Sequence, residues 1–292
     1  MSIHPDDIKR VKGQGFLNNK GTDCFNARIL TTNGNVSTDQ IRAIAEAADR
    51  FGSGRVQFTS RMTVELPGIP YEKIGEFQAF LAEYGLYTGG TGPKVRPVVS
   101  CKGTTCQYGL YDTFGLSEKI HERFYLGYHD VKLPHKFKIA AGGCPNNCVK
   151  PDLNDLGVIG QRIKEIDFEK CRGCRKCKIS EGCPMKAASL QEGRVVIDET
   201  VCNNCGRCAG KCPFGAFGEG KQAWKICIGG RWGKKTATAQ PLGRVFTTEE
   251  EVLDMVEKAI CFFRDEGIQG ERFADTISRL GFDYVEAKLL NK

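Results

Sequence analysis

CRGCRKCKISEGCPMKAASLQEGRVVIDETVCNNCGRCAGKCP, residues 171–213, holds eight of the fifteen cysteines in this chain of 292 residues. They form two runs of one pattern. The first is Cys171-x2-Cys174-x2-Cys177-x5-Cys183-Pro184, and the second is Cys202-x2-Cys205-x2-Cys208-x3-Cys212-Pro213. Three thiolates within seven residues can wrap three corners of a cubane iron–sulfur cluster, and the fourth cysteine, followed by proline, ligates the other cluster in two-cluster ferredoxins. That logic assigns Cys171, Cys174, Cys177 and Cys212 to one [4Fe-4S] cluster and Cys202, Cys205, Cys208 and Cys183 to a second. The competing reading is a pair of zinc ribbons, whose CxxC pairs usually stand ~15–20 residues apart. The five residues ahead of Cys183, in place of three, lengthen one loop.

Outward from this stretch the pattern changes to alternating helices and strands. Residues 38–52 place Ile41, Ile44, Ala45, Ala48 and Phe51 on one helical face, and Gly52 ends the helix. Residues 55–66 alternate with period two: Val56, Phe58, Met62, Val64 and Leu66 face one way, while Arg55, Gln57, Thr59, Arg61, Thr63 and Glu65 face the other. This predicts one strand with a buried face. A strand over 25–32 and a helix over 70–85, with Ile74, Phe77, Leu81 and Tyr84 inward, complete a small α+β unit. Gly89, Gly90, Gly92 and Pro93 mark its end. A second unit begins there, is interrupted by the cysteine-dense stretch, and resumes near Ala223. Its clearest helix covers 248–266, where Thr248 and Glu251 fit a capping box.

The bulk numbers fit a folded protein: 40% hydrophobic and 26% charged residues. No apolar run approaches the ~18–20 residues of a membrane span, and MSIHPDDIKRVKGQG lacks a signal peptide's apolar core. The expected location is the cytoplasm, where disulfides are disfavoured, so fifteen cysteines point to metal ligation. The formal charge of +7 would suit nucleic acid, but it suits anionic cofactors equally and counts every thiol as neutral. No nucleic-acid partner is expected.

Four more cysteines lie upstream, in SCKGTTCQYG (Cys101, Cys106) and AAGGCPNNCVKPDLNDLGVIG (Cys144, Cys148). Two such pairs could hold zinc; a third cubane is the better reading, because glycine-rich backbone near thiolates frees N–H groups to bond sulfur. Together with FTSRMTVEL around Arg61, KVRPVVSCKGTTC around Arg96, LPHKFKIAAGGCPNNC, ICIGGRWGKK and the terminal segment up to GERFADTISRLG, these residues resemble the sirohaem-containing sulfite and nitrite reductases over nearly the whole chain. The inserted cysteine module makes the anaerobic sulfite reductase C subunit and the dissimilatory sulfite reductase subunits the nearest likeness.

The resemblance implies a fold and a chemistry. The fold is α+β: a ferredoxin-like half-domain over 1–90, a sirohaem- and cluster-binding α/β domain over 91–165 and 221–292, and an inserted bacterial-type 2[4Fe-4S] ferredoxin domain over 166–220. The implied cofactors are sirohaem and three [4Fe-4S] clusters. Cys101, Cys106, Cys144 and Cys148 are implied as ligands of the cluster coupled to sirohaem, with Cys148 as the bridge to its iron. The C-x4-C spacing is one residue shorter than the form several members show. Arg61, Arg96, Lys136 and Lys138 match the family's substrate-binding cations; read singly, each is a solvated surface charge. Lys136 and Lys138, two apart in HKFKIA, point to one side of a strand with Phe137 opposite. A lysine among cations can lose proton affinity and so serve as a proton donor. Arg231, Lys234 and Lys235 in GGRWGKK are candidates for the sirohaem carboxylates, with an ordinary basic turn as the alternative.

The implied reaction is six-electron reduction of sulfite to sulfide, with electrons entering through the ferredoxin insert. Reduction of nitrite to ammonia, or a non-catalytic electron-transfer or structural subunit, are the alternatives. An electron-donor protein and a homo- or hetero-oligomer are the expected partners. Cys24, Cys227 and Cys261 fall outside both cysteine sets and read as structural. His135 adjoins Lys136 and borders the candidate site; the other histidines show no ligand spacing.

Overall fold

The computed structural model describes residues 3–291. The first unit contains α1 (Pro5–Gly13), β1 (Phe16–Asn18), β2 (Cys24–Ile29), α2 (Thr38–Phe51), β3 (Gln57–Phe58), β4 (Val64–Pro70) and α3 (Ile74–Ala82). Its four strands form an antiparallel sheet in the order β1-β2-β4-β3. Phe16 stands opposite Ala27, and Ala27 opposite Leu66, all three fully buried. Phe77 from α3 meets Phe51 from α2 edge-on, with ring centroids 5.8 Å apart.

Three sequence expectations change here. The buried face of α2 is Ala43, Ile44, Ala47, Ala48 and Phe51, whereas Ile41 and Ala45 lie outside. Ser37 caps this helix in a box with Gln40, and the cap sets where the first turn begins. The predicted strand over 55–66 is a hairpin instead. The backbone reverses between Thr59 and Thr63, where Met62 adopts φ 58°, and the Thr59 N–H donates to the Thr63 carbonyl at 2.9 Å. Phe58 is therefore exposed, and Arg61 sits at a hairpin tip rather than on a strand face. Just past the end of α3, Tyr84 is 38% exposed and Phe80 takes the inward position.

The second unit contains β5 (Val99–Ser100), α4 (Thr113–Ile120), β6 (Ile139–Gly142) and β7 (Leu156–Ile163). After an excursion that carries α5 (Lys178–Gly182), β8 (Ala188–Gln191) and β9 (Arg194–Ile197), it resumes with β10 (Lys221–Ile228), β11 (Gln240–Phe246), α6 (Glu249–Glu266), α7 (Phe273–Leu280) and α8 (Phe282–Leu290). Its sheet runs β11-β10-β7-β6-β5, with β5, β6 and β7 parallel and β10 and β11 antiparallel. β6 is buried along its whole length, as expected of a parallel strand covered on both faces. The Thr248–Glu251 capping box opens α6, whose Val252, Met255, Val256, Ala259 and Phe263 are buried in the main core.

The excursion leaves from β7 and returns to β10, two strands that pair directly from Leu156↔Ile228 to Ile163↔Lys221. The residues between them build a small core of their own, Ile179, Ala188, Val195, Ala216 and Phe217, with cysteines of both runs packed against it. Among the described residues, no helix is long and apolar enough to cross a membrane.

Candidate functional site

Two centres are built along β6. At its C-terminal end lie the four upstream thiols. β5 and β6 pair in parallel, Ser100 with Ala141, so Cys101 and the segment leading to Cys144 leave neighbouring strands side by side. The Gly143 N–H donates to Cys101 Sγ at 3.1 Å. A Cβ on Gly143 would come within 2.9 Å of the Gly103 backbone and 3.3 Å of Cys101 Sγ, so the approach of the two loops requires glycine. A 3₁₀ turn over Gly103–Thr105 carries the chain to Cys106. Burial pushes the Cys144 thiol up from its usual range, and Cys101, Cys148 and Cys106 push it further, so the four sulfurs share one neighbourhood. Cys148 is the exposed member of the four. The Tyr111 hydroxyl, held edge-on against Trp224, is buried without a hydrogen-bond partner, close enough for Cys101 and Cys144 to act on it.

At the other end of this four-residue strand, which spans about 13 Å at ~3.3 Å per residue, a cavity of 360 Å³ brings together Arg61, Arg96, Lys136 and Lys138. Lys136 and Lys138 flank Phe137, which is fully buried on the opposite side and bridges to Val95. The residues stand just before β6 rather than within it, but the same-side geometry holds. Arg28 and Lys12 also line the cavity, and no aspartate or glutamate does among the described residues. Arg28 is tied to Glu65 at 2.5 Å. Sequence reasoning missed Arg28, because an arginine on a short strand carries no local signal of the cavity it faces.

The cations are held in an unfavourable setting. Burial lowers Arg61 to about 10, against the pull of Asp155 and with Arg96 adding repulsion. Burial likewise lowers Arg96 to about 10, with Arg28 the next cause. Lys138 falls to about 8 through burial, then Arg61, Arg272 and Lys136. Lys136 moves down for the same reason, with Arg272 and Arg96 its nearest repulsive neighbours. Burial and the surrounding Arg272, Lys136 and Arg96 charges lower His135, which places it at the rim of the same field. Its Nδ1 accepts the Lys136 N–H at 2.7 Å.

Arg61 also joins the two units. Its guanidinium donates to Asn154 Oδ1 at 2.9 Å, to the Pro97 carbonyl at 2.6 Å and to the Ile139 carbonyl at 3.2 Å. Arg96 donates to the Gly90 carbonyl. The Nε of both arginines is buried and unpartnered. Asn154 in turn donates to the Lys150 carbonyl at 2.9 Å, so the loop that follows Cys148 runs back toward the cationic cavity.

Behind the cavity, Arg272 donates to both oxygens of Asp155, at 2.9 and 2.7 Å, with both residues buried. Asp155 Oδ2 also accepts the Lys138 N–H at 2.9 Å. This pair, invisible as a motif, fixes where Lys138 stands. The 229–239 loop packs onto the same segment: Ala239 N–H donates to the Asp152 carbonyl at 2.7 Å. Its Arg231 is not a free cation, since both Asp275 oxygens accept from it at 2.7 Å. Lys234 and Lys235 are exposed.

In the excursion, Cys183 lines one small cavity together with Cys202, Cys205 and Cys208. A second cavity, of 330 Å³, is lined by Cys144 and Cys205 together with Tyr108 and Arg207. Among the described residues, no three histidine, cysteine or acidic side chains converge on a single-ion geometry. A cubane cluster asks for a different arrangement, with one thiolate at each of four irons.

Residues 91–292 match the nitrite and sulphite reductase 4Fe-4S domain, and residues 18–84 match the nitrite/sulfite reductase ferredoxin-like half domain. The chain belongs to the nitrite and sulfite reductase family. It is 30% identical to the C subunit of the anaerobic sulfite reductase of Salmonella typhimurium, over 88% of this chain and 79% of that protein. It is also 30% identical to the coenzyme F420-dependent sulfite reductase of Methanocaldococcus jannaschii, over 84% of this chain but 38% of that longer protein. The crystal structure of dissimilatory sulfite reductase I superposes with a TM-score of 0.73 at 23% identity, covering 92% of this chain and 69% of that one. The nitrite/sulfite reductase fold, with its ferredoxin-like half domain, is thus the fold of this chain.

The family's prosthetic groups fit the residues present. Two buried, unpartnered guanidinium Nε atoms beside a cavity without carboxylates suit an anion. A buried, unpartnered tyrosine hydroxyl beside four thiols, one of which already accepts a backbone N–H, suits the sulfurs of a cluster.

Proposed function

We propose that this chain is a sirohaem-dependent sulfite reductase carrying out six-electron reduction of sulfite to sulfide. The observation that carries the reading is the cavity in which Arg61, Arg96, Lys136 and Lys138 converge with no carboxylate lining it. A small oxyanion relieves their mutual repulsion, and arginine's forked donors match its oxygens. Arg61 and Arg96 would hold sulfite oxygens through the free Nε atoms. Lys136 and Lys138 would stabilise the negative charge of the bound anion, with Lys138, lowered to about 8, relaying protons.

Cys101, Cys106, Cys144 and Cys148 would ligate one [4Fe-4S] cluster. The exposed Cys148 would bridge to sirohaem, whose carboxylates would meet Lys234, Lys235 and Arg231, the last of which already holds Asp275. When bound, sirohaem supplies an open iron position and the clusters supply single electrons. We read residues 166–220 as an inserted 2[4Fe-4S] ferredoxin domain. Cys202, Cys205, Cys208 and Cys183 would hold the cluster nearer to Cys144, and Cys171, Cys174, Cys177 and Cys212 the outer one. The joint lining by Cys183 and the second run supports that crossed assignment. A cytoplasmic electron-donor protein and further subunits, whether a second copy or different chains, are the partners this reading requires.

Visible and EPR spectra of anaerobically purified protein test it together with kcat/KM for sulfite and nitrite. Sirohaem bands magnetically coupled to a cluster, with sulfite preferred, are the expected result. A preference for nitrite would redirect the substrate. Absence of sirohaem after reconstitution would leave an electron-transfer or structural subunit.

A further inference from the structure

We infer that Lys164 raises the reduction potential of the cluster at Cys183, Cys202, Cys205 and Cys208 above that of its partner in the insert, so that the scaffold sets the direction of electron flow. This rests on the reading of residues 166–220 as a cluster-bearing insert.

The two cysteine runs are close to equivalent in sequence, so nothing local distinguishes their clusters. Their surroundings do. Lys164 follows the last residue of β7 and therefore belongs to the scaffold, not to the insert. Its ammonium lies 3.5 Å from Cys202 Sγ and 3.3 Å from Asn204 Oδ1, with the side chain 11% exposed. Beside it, the Arg162 N–H donates to the Asn204 carbonyl at 2.8 Å, which pins the second run to the strand. The placement of the charge is thus built into the docking of the insert.

The first run carries more cations in sequence, Arg172, Arg175 and Lys176, but all three are exposed. Cys171 receives its hydrogen bonds from the backbone of Gly173 and Val195, and the charge that acts on it, Arg194, is also exposed. Water and salt screen an exposed charge; a buried ammonium on a sulfur ligand is screened much less. Reduction adds one negative charge to a cluster, and a charge-assisted bond to its thiolate favours the reduced form. No bond is made or broken. A low-potential one-electron donor reduces the outer cluster by one electron, and passage of that electron inward reoxidises the outer cluster as it reduces the one beside Lys164. Cys205 of that run shares a cavity with Cys144, so the favoured acceptor is the one facing the scaffold thiols.

The test is an EPR-monitored redox titration of the purified, cluster-loaded full chain, with iron and sulfide counted on each sample. In Lys164→Met, one insert cluster should become about tenfold harder to reduce, ~59 mV for a one-electron couple, while the other keeps its midpoint. Lys164→Arg should restore most of the difference. Glu199, 67% exposed and 2.7 Å from the same ammonium, opposes it. Glu199→Gln should therefore raise the midpoint of the same cluster. Wild-type midpoints in Lys164→Met with full iron would overturn the inference. If Lys164→Met loses a cluster, Glu199→Gln decides: an unchanged midpoint overturns it. A wild-type protein without the two insert clusters would instead defeat the reading beneath it, and the iron count on that sample tells the two failures apart.

Discussion

At the scale of single residues, the cavity crowds positive charge where water is scarce. Lys138 shows the consequence. An ordinary lysine stays charged to ~10.4; burial, with Arg61, Arg272 and Lys136 behind it, brings this one to about 8. The ammonium is the form that holds an anion and gives up a proton, and it predominates below that pH. The kcat/KM for sulfite should therefore be lost as pH rises through about 8, by roughly tenfold per unit above it if one proton is required. Lys138→Arg should carry binding of the anion to higher pH. Lys138→Gln should remove the fall-off and lower kcat/KM below pH 8 by about 10²-fold. A wild-type profile in Lys138→Gln, at unchanged sirohaem content, would sink the role.

At the scale of elements, the buried Asp155–Arg272 pair fastens the start of β7 to the start of α7 and supplies the acceptor for the Lys138 N–H. A buried pair is costly to half-remove, because the remaining charge has no partner. Arg272→Ala should destabilise the fold by about 3–5 kcal/mol, read as a lower denaturant midpoint. Asp155→Leu with Arg272→Met should recover most of that loss. If Arg272→Ala unfolds at the wild-type midpoint, the pair is not a fastening. The two partners lie 117 residues apart, which is why no sequence window shows them. The helix 248–266 was legible because both its cap and its apolar stripe are local. The hairpin at Thr59–Thr63 was not: FTSRMTV contains no glycine, proline, asparagine or aspartate, so the alternation of 55–66 runs through the turn unbroken. The convergence of Arg61, Arg96, Lys136 and Lys138 on one cavity was legible through the motifs around them. That Arg231 is engaged by Asp275, and that Arg28 joins the cavity, depend on contacts between elements distant in sequence.

At the scale of the molecule, the cysteine-dense stretch is an excursion from a sheet that closes without it. β7 and β10 stay hydrogen-bonded to the point where the chain departs, Ile163 opposite Lys221, and the excursion packs its cysteines on its own small core. The contacts that fasten it include the Arg162–Asn204 backbone bond, the Lys164 ammonium at Asn204 and Glu199, and Arg207 over the Tyr108 ring. A chain in which residues 165–219 are replaced by a two-residue Asn-Gly turn meets the geometric demand of an antiparallel pair. It should fold and keep a sirohaem spectrum, because the thiols of Cys101, Cys106, Cys144 and Cys148 and the cations near β6 all belong to the scaffold. It should lose about eight irons, two cubanes' worth, and with them reduction by a protein donor. Slow turnover with a small-molecule reductant should persist. An insoluble or molten product would show that the scaffold core depends on the insert. A folded product with its full iron content would show that the paired cysteine runs hold no clusters.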